Sequence, residues 1–218
     1  WIASTQLVIP EQEGATWDVG ISRIVLRGDQ VLITTRPTVS NFENVGTYLF
    51  QLTSTDGWRS RSKFVSSSAG EDVEASRVVA TFWGGSVLIA RTAVDVPGRC
   101  HLYNIGTRID ASDVSQFAAY GTSVDMSDDF AIVGAPRADG NAGKAYILQQ
   151  QPNGNWEEFN ILRPVGWQAG EEIGQSVSIS DTRAVIGAPG VFESAGSVIF
   201  YQFNGDDQWV DAGEVYPD

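Results

Sequence analysis

The sequence predicts an all-β protein built from four similar units of four strands each. Two observations carry that expectation. Ala131-Ile-Val-Gly-Ala-Pro136 recurs as Ala184-Val-Ile-Gly-Ala-Pro189, about fifty residues later. Each copy follows a Gly-x-Ser-Val segment (Gly121 to Val124, Gly174 to Val177) and precedes an apolar run opened by glycine (Gly143 to Leu148, Gly196 to Tyr201). Second, the apolar residues come in short runs between Gly, Asp, Asn and Ser, with no helical period.

Composition agrees. The chain of 218 residues is 42% hydrophobic, enough to bury a sizeable core. Its 23 glycines and seven tryptophans suit many short strands and turns. The net charge of −13 argues against nucleic acid, whose phosphates require Lys and Arg, and against an anionic membrane surface. No apolar run is long enough to span a bilayer as a helix. The single Cys100 allows neither an intrachain disulfide nor a cysteine metal site. A chain that begins at Trp1 rather than Met reads as one that has lost a targeting segment, so the expected location is extracellular or another non-cytosolic compartment.

The units are expected at about 1–57, 58–106, 107–155 and 156–218, together one domain. Unit one holds Ile21 to Leu26, a turn at Arg27-Gly-Asp-Gln30, Val31 to Thr35, and Gly46 to Leu52. Unit two holds Val78 to Phe82, a turn at Trp83-Gly-Gly-Ser86, Val87 to Ala90, and Arg99 to Tyr103. Units three and four hold the two Gly-Ala-Pro runs. A more polar, alternating strand stands beside these inner ones: Ser4 to Ile9, Arg59 to Val65, Ile109 to Phe117, Glu157 to Leu162 and Val210 to Tyr216. Alternation marks an edge strand with one wet face, and continuous apolar runs mark strands buried on both faces. Trp58, Trp156 and Trp209 recur before the outer strands and are expected to pack between units. Four-stranded repeats of about fifty residues predict the blades of a β-propeller.

The order Gly-x-Ser-Val, polar turn, Val-Gly-Ala-Pro or Ile-Gly-Ala-Pro, then Gly and an apolar strand resembles the FG-GAP repeat of integrin α-type propellers. It resembles still more the shorter, Trp-linked FG-GAP repeats of secreted proteins. Units three and four carry the motif; units one and two keep only its spacing. The resemblance implies a propeller that is usually extracellular and non-catalytic, serving adhesion or protein binding. Repeats of this kind often hold calcium in an Asp-rich loop between the first two strands. Here those stretches are Arg27–Gln30, Trp83–Ser86, Met126–Phe130 and Ile179–Arg183, with Asp128, Asp129 and Asp181 in tight turns. Such turns are too short to supply the six to eight oxygens calcium takes, so no metal or other cofactor is expected.

Four inner sets accompany five outer strands, so the ring is expected to be incompletely closed, to carry an add-on strand, or to be completed by another chain. An unpaired strand edge calls for a cover, which makes a protein partner or larger assembly the expectation.

The chemistry for catalysis is thin. His101 is the only histidine, and it neighbours Cys100 in one strand, where adjacent residues face opposite ways. The acid pairs Glu71/Asp72, Glu157/Glu158, Glu171/Glu172 and Asp206/Asp207 read as solvated turn or strand residues, although glycoside hydrolysis would need such a pair. What remains is the surface made by the loops between second and third strands. Arg36, Arg91 and Arg137 leave the second strand at nearly the same place and are candidates to bind an anion or acidic side chain. Asn41, Phe42, Asp139, Asn141, Trp167 and Phe192 lie in or near the same loops and suit a protein hot spot or a sugar platform. The expected function is therefore a non-catalytic binding or scaffolding module, with a carbohydrate-binding lectin as the alternative and a propeller hydrolase third.

Overall fold

The structure is a computed structural model describing residues 19–37, 46–64, 77–93, 96–102, 107–109, 111–113, 118–191 and 195–216. At residues 19, 20, 36, 37, 77, 91, 93, 96–102 and 107–109 it describes the backbone alone. The chain divides into two compact units, Trp1–Glu74 and Ala75–Asp218.

The first unit holds one antiparallel sheet, β1 (Val19–Arg27), β2 (Gln30–Pro37), β3 (Thr47–Thr53) and β4 (Gly57–Phe64), in chain order. Arg27 pairs with Gln30, so Gly28 and Asp29 alone make the first turn. Val31, Ile33, Tyr48 and Phe50 form its core, with Trp58 packed against them. β4 ends at Phe64, matching the expected polar outer strand to within a residue or two. The expected strand Ser4–Ile9 lies outside the described residues.

The second unit holds three such sheets. They are β5 (Arg77–Trp83), β6 (Ser86–Ala93), β7 (Val96–Leu102) and β8 (Thr107–Ile109); β9 (Ser123–Met126), β10 (Phe130–Ala135), β11 (Lys144–Gln150) and β12 (Trp156–Leu162); and β13 (Ser176–Ser180), β14 (Arg183–Ala188), β15 (Ser197–Phe203) and β16 (Trp209–Val215). Each sheet is completed by the strand that follows its third, so none of the sixteen described strands is left over. Among the described residues, no helix is long and apolar enough to cross a membrane.

The inner strands β9, β10 and β11 are buried on both faces, and their sequence says why. Along β10, Ala131, Val133 and Ala135 join Val79, Leu88 and Ala90 of the sheet β5–β8 in one core. Phe130 and Ile132, facing the other way, join Ile179, Ile186, Ile199 and Tyr201 of the sheet β13–β16 in a second. Alternate residues therefore feed alternate cores, which demands the unbroken apolar run Phe130–Val133. Ile147 and Leu148 do the same along β11 and are fully buried, each contributing roughly 1.5–3 kcal/mol. Trp156 belongs to the first core and Trp209 to the second, so these repeated tryptophans do pack between sheets.

The Gly-Ala-Pro glycine has a physical cause. A Cβ on Gly134 would lie 2.0 Å from the Gly174 carbonyl oxygen, and one on Gly143 would lie 2.4 Å from the Ile173 nitrogen. The backbone that enters the last sheet thus runs directly against the middle one, and only glycine permits that approach. Ser123 Oγ locks the contact by donating to the Gly174 carbonyl at 2.8 Å. Gly121 and Gly174, which open the Gly-x-Ser-Val segments, have φ of +89° and donate to the carbonyls of Gly134 and Gly187.

One expected strand is displaced. The outer strand of the sheet β5–β8 was expected at Ile109–Phe117, but the ladder covers only Thr107–Ile109. Beyond it the chain is drawn to the next sheet. Ser112 donates through its N–H and its Oγ to the Glu158 carboxylate, at 2.9 and 2.6 Å. Asp113 accepts from Lys144 and Tyr146. Residues 114–117 lie outside the described residues.

Candidate functional site

Consecutive antiparallel strands give each sheet two unlike ends. One carries the loops between second and third strands together with the linkers to the next sheet. The other carries the tight turns between first and second, and third and fourth, strands.

At the loop end of the middle sheet, Ala138–Asn141 makes one helical turn with Asp139 and Gly140 at positive φ. Lys144, buried at the start of β11, holds the loop. Its ammonium lies 2.6 Å from Asp113 and 3.4 Å from Asp139, and Arg163 reaches the same Asp139 oxygen at 3.0 Å. Tyr146 donates to Asp113 at 2.7 Å and meets Tyr120 edge to face. Burial pushes the Asp113 carboxyl up, but the hydrogen bonds from Lys144 and Tyr146 and the Lys144 charge outweigh it, so its pKa falls below 3.8. Burial, and then the Asp113 carboxylate, push the Tyr146 hydroxyl well above its ordinary 10.0. These groups neutralise one another and fix a loop; they do not form a reactive dyad.

The residues singled out at this end fare differently. Asp139 is tied into the ion pairs. The Asn141 backbone carbonyl accepts from the N–H groups of Gly170 and Glu172 and seats the following linker, and the residue is exposed. Trp167 is half-buried against the second core. Arg137 is exposed, and its N–H donates to the Ala118 carbonyl. Val165, on the linker beside Arg163, is fully exposed at 101%. Arg36 and Arg91 lie near the ends of β2 and β6, and their side chains are outside the described residues, as are Asn41, Phe42 and Phe192. Cys100 and His101 are neighbours in β7.

At the turn end, the first hairpins are as short as expected. Two residues separate Trp83 from Ser86 and Ser180 from Arg183, with positive φ at Gly84, Gly85 and Asp181. Between the turns of the first two sheets of this unit lies a cleft of about 480 Å³, lined by Trp83, Ser86, Asp128, Asp129, Gln150 and Trp156. The half-buried Trp83 indole donates its N–H to Asp128 across the gap between sheets. Asp128 and Asp129 are exposed.

Two of these arrangements escaped the sequence reading. Trp83 was read as a turn residue and is also a bridge between sheets. Asp125, buried on β9, accepts from Thr81 on one side and from Ser178 Oγ and the Ile179 N–H on the other, at 3.4, 2.8 and 3.0 Å. The available signal was an acid inside a strand whose neighbours are buried, which is rare without partners.

A comparison with curated proteins returns no match. A scan of family models matches residues 106–148, the segment running from β8 through β9 and β10 into β11, to the FG-GAP repeat. The first Gly-x-Ser-Val and Val-Gly-Ala-Pro motifs, with Gly134 and Gly143, fall in that segment, and residues 106–148 of this chain match the FG-GAP repeat.

Proposed function

We propose that the four sheets are blades of a β-propeller that acts without catalysis, as a protein-binding or scaffolding module in adhesion or in a larger assembly. The observation that carries this reading is the FG-GAP repeat at residues 106–148, since such repeats are commonly protein-binding or adhesion modules. The stacking of three four-stranded sheets through their faces, with β9 beside both β5 and β13, supports the blade reading. The binding surface is the loop end. There Lys144 and its carboxylate partners hold the loops rigidly, while Arg137 and the exposed Val165 project from them. The partner is a protein, and the place of action is extracellular or otherwise non-cytosolic.

The test is the native mass of the endogenous protein after gentle extraction, by size exclusion with light scattering. The reading expects a species well above the mass of one copy of the endogenous chain that contains a defined companion. V165D together with R137E should release the companion and leave the fold intact by circular dichroism. A single copy in the native extract, with no companion, would overturn the reading.

A further inference from the structure

We propose that the cleft at the turn end, between the sheets β5–β8 and β9–β12, binds a neutral saccharide of one or two rings. The site is separate from the loop-end surface, so its success or failure does not depend on the protein-binding reading.

The cleft has the size and parts such a ligand needs. Its volume of about 480 Å³ lies in the range of small-molecule sites. Trp83 supplies an aromatic face, and its hydrogen bond to Asp128 fixes the ring at one angle, so little side-chain freedom is lost on binding. Trp156, buried in the core, forms a rigid part of the lining. A sugar ring stacks its C–H face on an indole and points hydroxyls outward around its rim. Around this indole stand acceptors for those hydroxyls: the Asp128 and Asp129 carboxylates and the Gln150 amide oxygen. The Gln150 Nε2 is directed to the Gly154 carbonyl at 3.4 Å, which leaves the oxygen for a ligand. Hydroxyl-to-carboxylate hydrogen bonds are among the stronger neutral-ligand contacts.

The lining also selects. It contains neither Lys nor Arg, and the chain carries a net charge of −13. A sialylated, uronic or sulfated sugar would set its negative charge beside two carboxylates. A basic side chain is the rival occupant. Asp128 and Asp129 are exposed, so a cation would gain only the small, salt-screened attraction of a surface ion pair. Stacking on Trp83 with hydroxyls on the carboxylates uses the fixed geometry of the cleft instead.

The test uses the intact chain. Tryptophan fluorescence follows titration with lactose, mannobiose and cellobiose, with 3′-sialyllactose and an arginine-rich peptide as comparisons. The expected result is saturable binding of at least one neutral sugar at about 0.1–1 mM, unchanged in about 0.5 M salt. The sialylated sugar should not bind. D129N should weaken binding about tenfold, and W83A should weaken it at least as much. Asp129 is exposed on a turn, so its variant keeps the fold, and circular dichroism checks both. No binding of any neutral sugar at about 10 mM overturns the proposal. So does binding that survives both variants, or salt-sensitive capture of the peptide in place of sugar.

Discussion

Replacing Gly134 with alanine tests whether the Gly-Ala-Pro motif exists to bring two backbones together. Gly134 has an ordinary φ, so alanine adds no torsional strain, and its cost is one of contact alone. The new Cβ would lie 2.0 Å from the Gly174 carbonyl oxygen and 2.4 Å from Ser123 Oγ. The first of these is backbone, itself held by the Ser123 hydrogen bond, and cannot rotate away. Overpacking of this kind costs about 1–3 kcal/mol, and disturbing the buried Ser123 bond adds about 1 kcal/mol. We expect a loss of about 3 kcal/mol and a fall in Tm of about 6–12 °C for a chain of this size. Gly187 is the same residue of the same motif in the last sheet, and it serves as the control. There the Cβ would meet Ser176 Oγ at 2.3 Å, but the next atoms lie at 3.7 and 3.8 Å. Ser176 is exposed and can turn its hydroxyl aside, so G187A should change stability by less than about 1 kcal/mol. Urea unfolding followed by tryptophan fluorescence measures both variants. Equal losses for the two, or less than about 1 kcal/mol for G134A, would show that the motif glycine is not there for the inter-sheet contact.

The buried polar groups give three further expectations. Asp113 has a lowered folded-state pKa, so its contribution is complete above pH about 4 and is lost as pH falls through the depressed value. D113N should therefore flatten the acid side of the stability curve. It should also cost about 1–2 kcal/mol at neutral pH, since Lys144 is buried although Asp113 is partly exposed. Thermal unfolding between pH 3 and about 7 checks both. D125A strips an acceptor from Thr81, Ser178 and the Ile179 N–H and should cost about 2–4 kcal/mol in urea unfolding; a loss under about 1 kcal/mol would mean water replaces the carboxylate. Burial, followed by the neighbouring carboxylates, raises the pKa of Tyr146 and Tyr201, so neither should ionise in the native state at pH about 11. Alkaline difference spectra of Y146F and Y201F should match the parent there and diverge only on unfolding.

Most of the fold was legible because it rests on local period. Strands buried on both faces must be continuously apolar, as Phe130–Val133 is, and outer strands with a wet face carry polar residues, as Trp156–Leu162 does. The hairpin turns were legible for the same reason: Gly28, Gly84 and Gly85 stand where the turns take a positive φ. The stretch Ile109–Phe117 also alternates, and there local period misled. Its fate is set by Glu158, Lys144 and Tyr146, which lie 31 to 46 residues further along and capture Ser112 and Asp113. No local pattern encodes that competition. Glu158 itself reads as one of two solvated acids, and only the fold shows that it holds the linker.

The same limit governs the candidate sites. At the loop end, composition pointed to Asp139, Asn141 and Trp167 as binding groups because acids, amides and aromatics in variable loops often are. The structure gives each a part in building the loop: Asp139 pairs with Lys144 and Arg163, Trp167 packs against the core, and Asn141 seats the next linker with its backbone carbonyl while the residue stays exposed. At the turn end, residue type gave no such pointer. Trp83, Asp128 and Asp129 looked fully explained by the turns in which they stand. Forty-five residues separate Trp83 from Asp128, and only the packing of one sheet on the next sets an indole beside the carboxylates. A turn is made by its backbone, and its side chains can then be recruited to other contacts. In stacked repeats, successive turns come together at one end, and such side chains meet there. The turn end is thus where such a fold gathers polar groups without weakening a strand, and among the described residues the Trp83 cleft sets two carboxylates and an amide beside an indole.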